Sequence, residues 1–124
     1  MNKIYKSKKN GKAIFTKVDL PKKKGDYLYF LKIGQDIQLY KIGTTNDVLR
    51  RMKEHVKYYN EDITILWVSP KYSKYTTLRV EDRMKEKWIA EGQWEYHNND
   101  RFTIPKGTKE VRIVVKKEWV IQLE

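Results

Sequence analysis

The stretch from Tyr27 to Gly43 constrains this chain more than any other. Two aromatic and β-branched runs, Tyr27 to Ile33 and Gln38 to Gly43, flank Gly34-Gln35-Asp36-Ile37, the pattern of a hairpin with a short glycine-containing loop. Strand side chains alternate faces, so Tyr27, Tyr29 and Leu31 share one face, and Leu39 and Lys41 share one face of the partner strand.

Downstream, Thr44-Thr45-Asn46-Asp47 offers N-cap hydroxyl and amide groups and an acid for the first turn, which predicts a helix running to about Tyr58. Val48, Leu49, Met52 and Val56 form its apolar stripe. Arg51 and His55, four residues apart, stack along one edge of that stripe, at the border between core and solvent. Ile63 to Val68 reads as a third strand, closed by Ser69-Pro70. Strong helix formers from about Ser73 to Ala90, with Gly92 as a stop, predict a second helix. Glu81, Met84 and Trp88 share one row of it, which sets a carboxylate beside two large apolar side chains. Val111 to Val115 and Trp119 to Leu123 read as a closing strand pair around Lys116-Lys117-Glu118. The expected class is α+β: a small mixed or antiparallel three-stranded sheet flanked by helices in β-β-α-β-α order, with an extra C-terminal strand pair.

At 124 residues there is room for one domain. The net charge of +11 is unevenly placed: residues 1 to 24 hold nine lysines and one acid, Asp19, and so supply +8 of it. Pro21 to Asp26 mixes proline, glycine and charge, so the expectation is a basic arm over residues 1–25 followed by a compact domain over 26–124. An excess of this size calls for a polyanionic partner, because lysines near phosphates release condensed counterions. Lys8, Lys9, Lys12, Lys22, Lys23 and Lys24 are the candidates for tracking a nucleic-acid backbone, with Tyr5 and Phe15 interleaved as bases' stacking partners. A solubilising tail without a ligand is the plainer reading of the same lysines.

No run approaches the ~20 apolar residues of a membrane span, and Met1 to Lys24 lacks the apolar stretch of a secretory signal. The expected location is the cytoplasm of a bacterium or of a phage-infected host, the source being suggested by the abundance of Lys, Ile, Asn and Tyr. The absence of cysteine removes disulfides, thiolate nucleophiles and cysteine-based zinc sites together. With His55 and His97 the only imidazoles, a carboxylate-bound Mg²⁺ or Mn²⁺ is the expected metal chemistry.

Tyr27-Leu28-Tyr29 followed by Lys41-Ile42-Gly43, with 12 residues from Tyr29 to Lys41, resembles the paired strand motifs of the GIY-YIG nuclease superfamily. The family pattern continues with an arginine on the next helix, a histidine one turn later and a metal-binding glutamate on a later helix; Arg51, His55 and Glu81 stand at those places. Two positions depart from it. Tyr27 replaces the glycine of the first triplet and Lys41 the first tyrosine of the second, a form similar to the phage and bacterial branch that carries Lys-Ile-Gly. Strand parity excludes a shift onto Tyr40, whose side chain points to the face opposite Lys41. The family also carries an asparagine or a glutamate-containing turn that braces the site, and Asn99 is the candidate here.

The resemblance implies a divalent-metal-dependent endonuclease that leaves 5′-phosphate and 3′-hydroxyl ends. Glu81 would hold a single Mg²⁺ or Mn²⁺ acting as a Lewis acid, and Arg51 would grip a non-bridging oxygen with its planar fork. Tyr29 would orient the water or the phosphate, and His55 would relay a proton or hydrogen-bond Tyr29. For Lys41 two roles stand side by side, a general base whose pKa is lowered by Arg51 and the cation, or a fixed charge on phosphate. Double-stranded DNA is the favoured substrate and RNA the other; monomer and homodimer both remain open. Two further classes are an inactive nucleic-acid-binding module of the same fold, and an RNA-associated or protein-interaction adaptor.

Overall fold

The computed structural model describes residues 3–6, 11–34, 39–92, 95–98, 101–103 and 113–120. The hairpin expected from the sequence is present: β3 (Tyr27–Ile33) pairs antiparallel with β4 (Leu39–Thr45), in a register that sets Tyr29 opposite Gly43 and Leu31 opposite Lys41. Gly34 leaves β3 with a φ of 75°, a conformation that glycine adopts at little steric cost. The third strand, β5 (Ile63–Val68), pairs antiparallel with the other edge of β3, with a register shift at Phe30/Leu31. Thus the antiparallel trio β4-β3-β5 forms the centre of the sheet.

Two helices cover that centre from opposite sides. On one face Tyr27, Tyr29, Leu31 and Ile33 pack with Val48, Met52 and Val56 of α1 (Val48–Tyr59). On the other, Leu28, Phe30 and Ile42 pack with Val80, Met84 and Trp88 of α2 (Lys74–Ala90). β3 is consequently buried on both sides, and each large side chain fully withdrawn from water contributes roughly 1.5–3 kcal/mol. The helix ends follow local chemistry. Asp47 caps α1 by accepting from the Arg50 N–H at 3.2 Å, so the acid expected in the first turn is the cap itself. Asn60 ends the helix in the left-handed region. Ser73 caps α2 at the Thr76 N–H, and Gly92, with a φ of 68°, follows its end.

The sheet extends beyond the expected trio. Its strand order is β1-β2-β5-β3-β4-β7-β6 among the described residues. On one side, β2 (Ala13–Thr16) runs parallel to β5, and β1 (Lys3–Lys6) pairs antiparallel with β2. The lysine-rich segment expected to be an arm outside the domain therefore supplies sheet strands. Ile14 and Thr16 are buried, and the Ala13 N–H donates to Asp62 Oδ1 at 2.8 Å. The physical reason is a short run of apolar and β-branched residues, Ala13-Ile14-Phe15-Thr16, which the surrounding lysines outweigh in any reading by composition.

The extra strand pair lies earlier in the chain than expected. β6 (Glu95–Asn98) and β7 (Arg101–Thr103) form a hairpin, and β7 pairs with Leu39–Lys41 of β4. In the segment expected to form the pair, Ile113 to Lys116 has no regular structure and Lys117–Trp119 forms one 3₁₀ turn. That turn is closed by Trp119 N–H to Lys116 O at 3.0 Å, and it buries Trp119 in the core on the α2 side. The aromatic there serves as a packing anchor instead of a strand residue. Residues 111–112 and 121–124 lie outside the described set. No helix among the described residues is long and apolar enough to cross a membrane.

Candidate active site

The hydroxyl of Tyr29 is the meeting point of the α1-side face. Strand parity turns Tyr29 toward α1, and the 3.6-residue repeat sets His55 and Arg51 on one edge of that helix, a turn apart. The Tyr29 hydroxyl and His55 Nε2 are 2.8 Å apart, a buried hydrogen bond. The Tyr29 and His55 rings meet at 54°, and His55 stacks on Tyr59 with centroids 5.7 Å apart. His55, expected at the border of the core, is only 5% exposed, because these two tyrosines close over it.

Arg51 reaches the same hydroxyl. Burial works against its charge, but hydrogen bonding and attraction from Tyr29, followed by those from Glu54, outweigh it and raise its pKa above the ordinary arginine value. Arg51 also pairs with Glu54 at 3.2 Å, and its side chain is 42% exposed. Tyr29 itself is 1% exposed. The outermost member of the trio is therefore an arginine, backed by a buried tyrosine and a buried histidine. Helix phase separates Arg51 from its neighbour Arg50, which turns to Asn46, Asp47 and Glu54 at the start of the helix.

Lys41 is buried on the same face, opposite Leu31 in the hairpin register. Gly43, to which the sequence reading gave no individual role, is the register partner of Tyr29. A Cβ built there would stand 2.6 Å from the tyrosine Cζ, so the ring occupies the space that any side chain at position 43 would need. The glycine of the second triplet is thus required by the tyrosine of the first.

Glu81 stands apart from the trio by element and by face. Its row on α2 faces inward as expected, for Met84 and Trp88 are buried and the Glu81 side chain is 14% exposed. However, α2 covers the face of Leu28, Phe30 and Ile42, not that of Tyr29. The Glu81 carboxylate pairs with Lys85 Nζ at 3.2 Å. Where the two faces meet, β7 pairs β4 only at Leu39, Tyr40 and Lys41, so the outer edge of Ile42–Thr45 has no strand partner among the described residues. Among the described residues there is also no cluster of three or more His, Asp or Glu for a metal. A hard divalent ion bound through one carboxylate, waters and substrate phosphate is compatible with Glu81, and Lys85 is its competitor. Asn99, Lys8 and Lys9 lie outside the described residues; Lys22, Lys23 and Lys24 are exposed and Lys12 is half-buried.

A hairpin with Tyr29 over Gly43, a following helix that brings arginine and histidine to the tyrosine hydroxyl, and a later helix on the opposite face define a GIY-YIG-related domain. The family model of the T5orf172 domain matches residues 26–120, and the chain belongs to that family. No curated protein and no solved structure gives a match.

Proposed function

We propose that the protein is a divalent-metal-dependent endonuclease of the Lys-Ile-Gly branch of the GIY-YIG nucleases, acting on double-stranded DNA. The observation that carries this reading is the Tyr29 hydroxyl held by His55 Nε2 and Arg51 on one face of the hairpin. Arg51, the exposed member, holds a non-bridging phosphate oxygen through its fork of donors. As Arg51 turns toward the phosphate it uncovers the Tyr29 hydroxyl, which orients the attacking water. His55 Nε2, as the hydrogen-bond partner, takes the tyrosine proton while the water proton passes to Tyr29. Lys41 serves from the same face, as proton acceptor or as a fixed charge on phosphate; Lys41→Arg keeps the second role and removes the first. Glu81, once released by Lys85, would hold a divalent ion, and the chemistry such an ion would supply there is Lewis-acid stabilisation of phosphate charge.

Supercoiled plasmid incubated with Mg²⁺ or Mn²⁺ tests the proposal. Wild type nicks it, whereas Arg51→Ala and Glu81→Ala lose nicking while remaining folded. Intact plasmid in every lane with folded protein refutes catalysis. A second reading, a nucleic-acid-binding module without catalysis, has support of its own in the Glu81–Lys85 ion pair and in the depth of Tyr29. In that case duplex binding survives Glu81→Ala and no metal induces cleavage.

A further inference from the structure

Next to the Tyr29 face, two separate segments build a basic concavity. A cavity of about 300 Å³ is walled by Lys22 and Lys23 on one side and by Lys71 on the other, with the Tyr27 ring between them and Asp19 as its one acid. The lysines sit on backbone that is tied down. The Tyr27 hydroxyl donates to Lys23 O at 2.8 Å, and Tyr72 N–H donates to Asp26 O at 3.1 Å, joining the two segments as an antiparallel bridge. Ser69 completes the tie, for its N–H donates to Leu28 O and its hydroxyl accepts from Leu28 N–H at 2.9 Å. Lys71 also has its stem laid over Gly25, where a Cβ would come within 2.9 Å of three of its carbons, so the glycine leaves the room that the lysine occupies.

The position is as informative as the charge. Tyr27 and Tyr29 are alternate residues of β3 on the same face, about 7 Å apart along the strand. The concavity therefore lies at the Tyr27 end of the strand that carries Tyr29, on the β5 side. Three ammonium groups against one carboxylate, on two separate segments of the chain, suit a polyanion with more than one charge to present.

We infer that this concavity, formed by Lys22, Lys23 and Lys71, is a phosphate-backbone clamp for duplex DNA, holding the strand beside the phosphate presented to Arg51. The inference rests on the nuclease reading for its orientation toward Arg51, but binding in the absence of metal tests it separately. It assigns Lys71, outside the lysine-rich N-terminal segment, to DNA binding, and it gives Lys22 and Lys23 a fixed place in the fold.

The test is the affinity of a short labelled DNA duplex, measured in EDTA over a series of salt concentrations. Lys22→Ala/Lys71→Ala is expected to weaken binding roughly tenfold or more near about 0.1 M salt, and to reduce the slope of log K against log salt by about 2. Asp19→Asn is expected to tighten binding, and Lys117→Ala, in the turn on the α2 side, to change it little. Should the double variant match Lys117→Ala in affinity and slope, or should polyglutamate displace the wild type as well as DNA does, the clamp is overturned. In nicking assays the double variant raises KM and leaves kcat unchanged. Metal-free binding that responds to these substitutions, in a protein that cuts nothing, would uphold the clamp while sinking the nuclease reading.

Discussion

Lys85 holds the carboxylate of Glu81 from one helical turn further along α2, at 3.2 Å, with both side chains largely shielded from water. A cation that binds Glu81 must first displace that ammonium. Lys85→Met should therefore lower the Mg²⁺ or Mn²⁺ concentration needed for half-maximal effect by several-fold, read by calorimetry on the folded protein and by nicking. Because the pair is largely shielded, Lys85→Met also takes the ammonium from a poorly solvated carboxylate and should lower thermal stability in the absence of metal, which the bound cation should restore. An unchanged metal requirement would remove Glu81 from the metal role.

His55→Ala takes one partner from a buried hydroxyl. The Tyr29 hydroxyl would lose its bond to Nε2 within the core, which costs about 1–3 kcal/mol, with a cavity cost added. Urea denaturation measures the loss. Tyr29→Phe in the His55→Ala background should recover part of it, and full additivity of the two changes would show that the bond contributes nothing.

Gly43→Ala should cost about 1–3 kcal/mol by overpacking against the Tyr29 ring, and should move the hydroxyl away from His55 and Arg51. Combining it with Tyr29→Ala, which clears the space, should reduce the penalty attributable to position 43. A wild-type melting temperature for Gly43→Ala alone would contradict the contact.

Ile14→Ala should destabilise the whole domain by about 2–5 kcal/mol, as expected of a core residue and not of a tail. Removal of residues 1–17 should abolish cooperative unfolding or lower its midpoint sharply. Circular dichroism melts that coincide with those of the full chain would mean that β2 is dispensable.

Stability should fall in alkali because of two tyrosines. Burial raises the pKa of Tyr40, which stacks on Phe30, and that of Tyr72 above the ordinary value of 10.0. The folded state then keeps protons that the unfolded chain releases. Their contribution is complete below pH 10.0 and is lost as the pH rises through the folded values. Tyr40→Phe should flatten this alkaline decline in urea midpoints, and an equal decline in the variant would exclude Tyr40 as a source.

What could be read from the sequence is what periodicity and capping encode locally. The central hairpin, α1, β5 and α2 carry strong strand or helix repeats with distinct end signals at Gly34, Asp47, Ser73 and Gly92, and they form close to the expected places. The i, i+4 row sets Arg51 and His55 on one helix edge, and it is the resemblance to the GIY-YIG nucleases that joins them to Tyr29; the Tyr29–His55 hydrogen bond is in place. Depth could not be read in the same way. His55 looks like a border residue until Tyr29 and Tyr59 are seen to cover it. Likewise, the inward row of Glu81 follows from Met84 and Trp88, whereas the face of the sheet that α2 covers depends on how the chain crosses after β5. β2 was hidden because four apolar and β-branched residues carry little weight among lysines, and Trp119 misled because a short apolar run looks the same in a strand and in an anchored turn.

The placement of β2 has a consequence for how the chain is made. Its hydrogen-bonding partner on β5 and the Asp62 carboxylate that takes up the Ala13 N–H come 49 residues later in the sequence. β2 can pair with β1 as soon as both are made, but its other edge must wait, within a strongly cationic segment, until β5 has been synthesised to receive it. Contacts that span such a loop form slowly. Charge on this segment discourages premature pairing during that interval, so the lysines serve the growing chain before any ligand reaches them.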